Sequence, residues 1–287
     1  MHIFDSCACE LGEGPLWHPL NQKLYWFDIL AKKLFCKGLN DAQTQQWQFD
    51  VYVSAAGWID ENQLLIASAT ALFKFNLHTH EQQFICALEA DNPITRSNDG
   101  RADPWGGFWI GTMGIKAEPK AGAIYRYYRG ELRQLKSQIT ITNAICFSPD
   151  KKYAYYADTA DQVIYRQSLA IDSGWLLGEA QIFIDLRTQN LNPDGAVIDA
   201  QGNMWVAQWG AARVAKYASN GEFLQEVNVP TAQTTCPAFG GQNFERLFVT
   251  SAKAGLSSEQ LIQQPAGQTF YIDVDCRGVA EPRVLVR

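Results

Sequence analysis

The stretch AVIDAQGNMWVAQW (residues 196–209) contains two short apolar runs separated by the polar turn DAQGN. β-Branched and aromatic side chains favour strands, while Asp, Asn and Gly favour tight turns, so the stretch predicts a β-hairpin. The same arrangement occurs five more times. The other stretches are LWHPLNQKLYWFDI (16–29), GWIDENQLLIAS (57–68), GRADPWGGFWIGT (100–112), ICFSPDKKYAYYADT (145–159) and AFGGQNFERLFVTS (238–251).

The turns of these hairpins follow one another at regular intervals. Their anchors are separated by 42, 43, 45, 51 and 41 residues, and are His18, Asp60, Asp103, Ser148, Asp199 and Gly240. Two further strand-like segments follow most hairpins, for example GAIYRY and RVAKYA. A repeat of roughly 40 to 50 residues with four strands per unit is typical of a β-propeller blade. We therefore predict an all-β fold, a single six-bladed β-propeller domain with four-stranded blades over residues 1–287.

A pair of β-sandwiches is the alternative architecture. It is less favoured, because the repeat runs evenly through the chain with no Pro/Ser-rich linker at its midpoint. Propellers often close by drawing strands from both chain ends into one blade. We therefore expect residues 2–5 to pair with the last blade, around residues 248–275. Residues 257–264 (SSEQLIQQ) predict one short helical turn.

Composition narrows the class of protein. Hydrophobic residues make up 47% of the 287 residues, which is enough for a large core. The net charge is −6 and the sequence has no Lys/Arg cluster, which argues against a nucleic-acid partner. No apolar stretch approaches the ~20 residues that span a bilayer, so we expect no membrane association. The N-terminal sequence lacks the features of a secretory signal, which predicts a cytoplasmic protein. We also expect a monomer or a weak homo-oligomer. Seven cysteines without a CxxC pair indicate reduced thiols.

Polar residues recur at the starts of the predicted inner strands, which converge on the central channel of a propeller. They are Glu13, Asn98, Asn143 and Asp194, in four of the six repeats. Taken singly, NDG or PDG indicates only a turn, but recurrence at equivalent places favours a shared site. Carboxylate and amide oxygens suit one divalent cation, with Ca²⁺, Mg²⁺ or Mn²⁺ favoured by ligand type over Zn²⁺.

Five ordered motifs resemble the regucalcin (senescence marker protein)/gluconolactonase family of six-bladed propellers. They are GEGPLW (12–17), RSNDGRADPWGGFWIGTM (96–113), ITNAICFSPD (141–150), NPDGAVIDAQGNMWVAQW (192–209), and TCPAFGG with LFVTSA near the C-terminus. The resemblance implies a lactonase that opens a sugar lactone with one divalent cation, Ca²⁺ first and Zn²⁺, Mg²⁺, Mn²⁺ or Fe²⁺ as alternatives. It also implies the site residues, which are Glu13, Asn143 and Asp194 for the metal and Arg96 and Asn98 for the substrate.

Two positions depart from the family pattern. The usual Asn-Gly of the fourth blade is Asn143-Ala144, which limits the backbone to conformations that a Cβ permits. In mammalian-type members an acidic residue that contacts the substrate follows the GTM motif, and it aligns with Ile115 or Lys116 here. Glu118, a little further along the chain, is the alternative candidate for that contact. Lys116 as a substrate contact leads to the hypothesis that the lactone carries an acidic substituent.

The expected chemistry is attack of water on the lactone carbonyl. Asp194 is the candidate ligand and general base, and Arg96 supplies donors for sugar hydroxyls or for the oxygen that gains charge. A salt bridge of Arg96 with Asp99 or Asp103 is the structural alternative. The sequence has no GxSxG, P-loop or GxGxxG motif, and His78 and His80 lie in a polar loop. The rival functions are a non-catalytic calcium-binding or scaffold propeller and a hydrolase of aryl esters or phosphotriesters.

Overall fold

A computed structural model describes residues 1–286 and contains six antiparallel sheets of four strands each. The N-terminal strand, β1 (His2–Asp5), belongs to the sixth sheet. The first blade contains β2 (Gly12–His18), β3 (Lys23–Asp28), β4 (Lys33–Gly38) and β5 (Gln45–Gln48). The second contains β6 (Val53–Asp60), β7 (Gln63–Ser68), β8 (Ala71–Asn76) and β9 (Gln82–Ala87). The third contains β10 (Thr95–Ala102), β11 (Phe108–Gly114), β12 (Gly122–Tyr128) and β13 (Glu131–Ile139).

The remaining three blades have the same order of strands. The fourth contains β14 (Thr142–Phe147), β15 (Tyr153–Asp158), β16 (Val163–Leu169) and β17 (Leu176–Asp185). The fifth contains β18 (Asn192–Ile198), β19 (Met204–Trp209), β20 (Arg213–Tyr217) and β21 (Phe223–Asn228). The sixth contains β22 (Thr234–Gly240), β23 (Arg246–Ser251), β24 (Thr269–Asp273) and β1. The innermost strands contact one another in a closed ring, so the predicted six-bladed β-propeller is confirmed.

The ring closes as the sequence predicts. Strand β1 pairs with β24, with His2 opposite Tyr271 and Ile3 opposite Phe270. The predicted helical turn is α1 (Ser258–Gln263), which starts at a capping box formed by Ser257 and Gln260. Two 3₁₀ turns also occur, at Thr159–Asp161 and Arg187–Gln189. No helix of residues 1–286 is long and apolar enough to cross a membrane.

The core is divided among the blade interfaces. Six clusters of buried apolar side chains are present in the described chain, and each joins two neighbouring blades. Trp17 of the first blade, for example, stacks on Phe248 of the sixth at 5.5 Å between ring centroids. Because each sheet is covered on both faces, its middle strands are buried almost throughout, which explains the aromatic-rich composition.

Several of the residues that anchor the hairpin turns have buried side chains that accept hydrogen bonds from the turn backbone. The Asp103 carboxylate accepts the amide hydrogens of Trp105 and Gly107, and the Asp199 carboxylate accepts those of Gln201 and Asn203. These bonds satisfy backbone donors that the strand ladder leaves unpaired. The hairpin turns lie at one end of the channel, and the starts of the inner strands lie at the other.

A C-terminal segment without strand structure (276–286) crosses the channel at the hairpin-turn end. Gly278 forms an isolated bridge with Asp199 of the fifth blade, and the Val284 amide donates to the Trp58 carbonyl of the second blade at 2.9 Å. Val284 is fully buried between the second and third blades. This segment covers part of the hairpin-turn end of the channel, and the strand starts lie at the opposite end.

Candidate functional site

The predicted site residues lie beside breaks in the ladders between the first two strands of their blades. Each break leaves two residues of the inner strand unpaired, and such β-bulges turn side chains away from the regular alternation. The register shifts are between Glu13 and Leu16 in β2, Ser97 and Gly100 in β10, Asn143 and Cys146 in β14, and Pro193 and Ala196 in β18. The bulges direct the four predicted side chains towards the channel.

Left-handed backbone accompanies two of these bulges. Gly14 and Ala144 each have φ near 55°, directly after Glu13 and Asn143. A Cβ on Gly14 would lie 2.3 Å from the Ser54 carbonyl oxygen, so glycine is required there. Ala144 adopts the same conformation with its Cβ and carries the cost of about 1–2 kcal/mol for an L-residue in this region.

The site is a cavity of about 190 Å³ at the strand-start end of the channel. Its polar lining consists of Glu13, Arg96, Asn98, Asn143, Thr159 and Asp194. Its apolar lining consists of Leu11, Met113, Ile141, Trp209 and Ala254. Pockets for drug-sized ligands measure about 300–1,000 Å³, so this cavity fits a ligand about the size of one sugar ring.

Two buried carboxyl groups are paired at this cavity. Glu13 and Asp194 are only 6% and 5% exposed and lie within hydrogen-bonding reach of each other. Burial raises the pKa of both carboxyls, Asp99 raises both further, and Glu13 adds to the rise at Asp194. A divalent cation between these groups would remove that mutual repulsion.

An amide network orients the ligand oxygens. The Asn98 side-chain nitrogen donates to the Thr142 carbonyl at 2.8 Å and to the Asn143 side-chain oxygen at 3.2 Å. The Asn143 nitrogen donates to the Thr159 hydroxyl at 2.8 Å, and that hydroxyl donates to the Pro193 carbonyl at 2.7 Å. The Asn143 nitrogen is turned towards Thr159, and the Asn143 oxygen accepts one hydrogen bond, from Asn98, so it keeps a second lone pair for a ligand in the cavity.

The Arg96 guanidinium is buried beside this network. Its Nη1 donates to the Asn98 side-chain oxygen at 2.7 Å and to the Ser97 carbonyl at 2.9 Å, whereas its buried Nε has no partner in the described chain. Burial lowers the pKa of Arg96 to about 10, so it is still cationic at neutral pH. The salt-bridge alternative is wrong, because Asp103 pairs with Arg126 and Asp99 accepts the Ile145 amide.

The donor set fits a hard divalent cation. Two carboxylates and an amide oxygen face one cavity, and such oxygen ligands are those that Ca²⁺ and Mg²⁺ prefer. No group of three or more His, Cys, Asp or Glu side chains that could hold a metal occurs in residues 1–286. The described residues therefore contain no cluster of thiolates or histidines that could bind a metal. All seven cysteines are free thiols.

The structure separates Lys116 from the other predicted residues. Lys116 is exposed on the loop after β11 and does not line the cavity. Glu118 accepts the Lys116 backbone amide at 2.9 Å and also lies outside the lining. Sequence reasoning missed Thr159, although it ends the hairpin stretch 145–159, and it did not assign Trp209 to the mouth.

The whole chain is similar to proteins of a known family. The family model described as the SMP-30/Gluconolactonase/LRE-like region matches residues 11–253. A crystal structure of a calcium-binding protein, regucalcin, from Agrobacterium tumefaciens superposes with a TM-score of 0.97 at 38% identity, covering 99% of this chain and 97% of that one.

Two relatives of similar length carry names that state an activity. The L-arabinolactonase of Azospirillum brasilense is 34% identical over 95% of this chain and 91% of its own length. The 6-deoxy-6-sulfogluconolactonase of Pseudomonas putida is 32% identical over 95% and 94%, respectively. With a family model over most of its length and such relatives along nearly all of it, the chain belongs to the SMP-30/gluconolactonase/LRE-like family.

Proposed function

We propose that the chain hydrolyses a sugar lactone to the aldonic acid in the cavity at the strand-start end of the channel. The observation that carries this proposal is the convergence of two buried carboxyls, two amides and one buried guanidinium on a cavity the size of a sugar ring. Relatives named as lactonases over nearly the full chain support it.

Glu13, Asn143 and Asp194 would hold one divalent cation, with Ca²⁺ as the first candidate and Mg²⁺, Mn²⁺, Zn²⁺ or Fe²⁺ as alternatives. The calcium-binding regucalcin that superposes on this chain supports that choice. When bound, such a cation polarises the carbonyl and lowers the pKa of water. Asp194 accepts a proton from the attacking water at a carboxylate oxygen, and Glu13 acts mainly as a ligand.

Arg96 and Asn98 bind the substrate in this proposal. The Arg96 guanidinium lines the cavity and supplies a donor for a sugar hydroxyl or for the carbonyl oxygen as it gains charge. Asn98 is fixed by its bonds to Thr142 and Asn143, so its position changes little when the ligand enters. Met113, Ile141 and Trp209 surround the ring and exclude bulk water, which strengthens these polar interactions.

The test is lactone opening by the metal-loaded protein on a panel of pentono- and hexonolactones. We expect chelation to abolish turnover and Asp194→Asn to lower kcat by about 10²–10⁴-fold, the usual contribution of a positioned base. Asp172→Asn changes an exposed carboxylate in the same way and serves as the control. A metal-loaded protein that opens none of the panel would contradict the proposal.

The alternative function is a non-catalytic calcium-binding propeller, which the calcium-binding regucalcin structure favours. The same experiment separates the two functions. Binding of Ca²⁺ without turnover of any lactone supports the binding protein, whereas turnover that depends on Asp194 supports the enzyme.

Lys116 adds a narrower proposal about the substrate. We propose that it favours a lactone with an acidic substituent that extends from the cavity towards the exposed loop after β11. A relative named as a 6-deoxy-6-sulfogluconolactonase supports testing sulfonated substrates. We expect Lys116→Ala to raise KM for charged lactones and to leave neutral ones unchanged. An unaltered preference would contradict this assignment.

A further inference from the structure

A second buried arginine lies deeper in the channel than the proposed active site. Arg101 follows Asn98 by three residues in β10, and it is 8% exposed. Its Nε donates to the Ile145 carbonyl at 3.0 Å and its Nη2 to the Ala196 carbonyl at 3.0 Å. Its Nη1 bonds to the Glu281 carboxylate. One side chain therefore links the third, fourth and fifth blades to the C-terminal segment.

The two carbonyls that Arg101 binds belong to the bulged parts of the strands that carry the proposed metal ligands. Ile145 is two residues after Asn143, and Ala196 is two residues after Asp194. Innermost strands have a ladder partner on one edge only, so their carbonyls facing the channel need another donor. Arg101 supplies that donor to both strands at once and fixes the distance between them.

The neighbouring Asp99 also holds strand β14, through a backbone amide instead of a carbonyl. Its carboxylate accepts the Ile145 amide hydrogen at 2.7 Å. Strand β10 therefore holds both the amide and the carbonyl of Ile145, through Asp99 and Arg101. The Asn143 end of β14 has little freedom to shift along the channel.

Glu281 balances the buried charge of Arg101, and its own position is fixed independently. The Glu281 carbonyl accepts a hydrogen bond from the Trp58 indole at 2.7 Å, and Val284 anchors the segment in the core. A guanidinium buried without a counter-ion is strongly unfavourable. The C-terminal segment therefore supplies the charge that allows Arg101 to occupy the channel.

We propose that Arg101, paired with Glu281, is a positioning residue that sets the separation of Asn143 and Asp194 and thereby the affinity of the site for a divalent cation. This inference rests on the proposed function. It extends that function to a residue with no contact to the cavity, since Arg101 does not line it.

The test is Ca²⁺ binding measured by calorimetry on the full chain. Arg101→Lys keeps the positive charge, so the electrostatic effect on a cation is unchanged, but one ammonium cannot bridge two carbonyls and a carboxylate in the planar arrangement. We expect the Kd for Ca²⁺ to rise about tenfold or more, as is usual when a partner that orients a metal ligand is lost. We expect kcat to fall more than KM changes.

Arg126→Lys is the matched control for a purely structural role. Arg126 is also fully buried in the third blade, where it pairs with Asp103 and donates to the Ser173 carbonyl at 2.8 Å, but it does not line the cavity. We expect it to lower the Tm and to leave the Kd for Ca²⁺ within about twofold. Equal changes of Kd in R101K and R126K at matched loss of Tm would overturn the proposal.

A paired variant covers the case in which R101K does not fold. Arg101→Gln with Glu281→Gln removes both charges of the ion pair together, so that neither partner is left as an unpaired buried ion. We expect its Kd for Ca²⁺ also to rise about tenfold. If the wild type binds Ca²⁺ and opens lactones while the variants bind equally well, only this inference fails. If the wild type does neither, the proposed function fails first.

Discussion

At the scale of single residues, Thr159 determines how the Asn143 amide is oriented. Its hydroxyl accepts from Asn143 and donates to the Pro193 carbonyl, so it also ties the fourth blade to the fifth. We expect Thr159→Val, which has nearly the same shape, to weaken Ca²⁺ binding by about tenfold, because the Asn143 amide then loses the bond to Thr159 and is held only by that from Asn98. Calorimetric titration with Ca²⁺ checks the result.

Thr159→Ser retains the hydroxyl and serves as the control. We expect it to bind Ca²⁺ nearly as the wild type does and to lose less stability than Thr159→Val, which leaves the buried Asn143 amide without a partner at a cost of about 1–3 kcal/mol. Equal affinity of T159V and the wild type would show that the amide is oriented by its other contacts alone.

The sequence alone predicts the site residues at strand starts, because oxygen-bearing side chains at equivalent positions of a repeat are not needed to pack the blades. These residues are Glu13, Asn98, Asn143 and Asp194. Thr159 does not stand out in the same way, because a hydroxyl at the end of a hairpin is ordinary in any strand. Its role depends on a contact with the next blade. That contact is tertiary, and no local pattern encodes it.

At the scale of elements, the bulge in β2 depends on left-handed backbone at Gly14. We expect Gly14→Ala to lower the free energy of unfolding by roughly 2 kcal/mol or more, because its Cβ would meet the Ser54 carbonyl at 2.3 Å and φ is near 55°. The displaced bulge also moves Glu13, so we expect weaker Ca²⁺ binding. Urea denaturation with linear extrapolation measures the change.

Ala144→Gly is the matched control at the equivalent bulge of β14. Glycine removes about 1–2 kcal/mol of backbone strain but also a buried methyl group that contributes about 0.8 kcal/mol. We therefore expect no loss of stability, and a net gain of about 1 kcal/mol or less. A Gly14→Ala variant as stable as Ala144→Gly would contradict the requirement for glycine in β2.

At the scale of the whole molecule, the sequence repeat predicts the blades. Each sheet must bury both of its faces, so every blade requires the same pattern of apolar strands. The same logic predicts the closure by β1, which completes the sixth sheet. The C-terminal segment (276–286) follows no such rule. It has neither strand periodicity nor a motif, and its position depends on single contacts such as that of Glu281 with Arg101. Sequence patterns therefore predict the ring but not the segment that covers part of its hairpin-turn end.

The charge balance of the whole site makes stability depend on pH. The pKa values of Glu13 and Asp194 are raised in the folded state by burial first and then by neighbouring carboxylates, Asp99 for Glu13, and Glu13 and Asp99 for Asp194. In the folded state these groups bind protons that the unfolded chain, with Glu near 4.3 and Asp near 3.9, has already lost. Stability from this source is present at low pH and is lost as pH rises towards the folded values, by about 1.4 kcal/mol per pH unit for each proton.

We expect the metal-free protein to lose stability from about pH 5 to about pH 8, because this range lies above the unfolded pKa values of the two carboxyls and extends to the folded pKa of Glu13, which is raised to about 8. Saturating Ca²⁺ should largely remove this slope, because a bound cation favours the ionised carboxylates that the pH rise produces. Urea denaturation in the presence of a chelator or of Ca²⁺ measures both curves. Glu13→Gln is the control, since it removes one of the two coupled groups, and its metal-free curve should be flatter. A metal-free wild type whose stability is constant over this range would show that the two carboxyls ionise without cost.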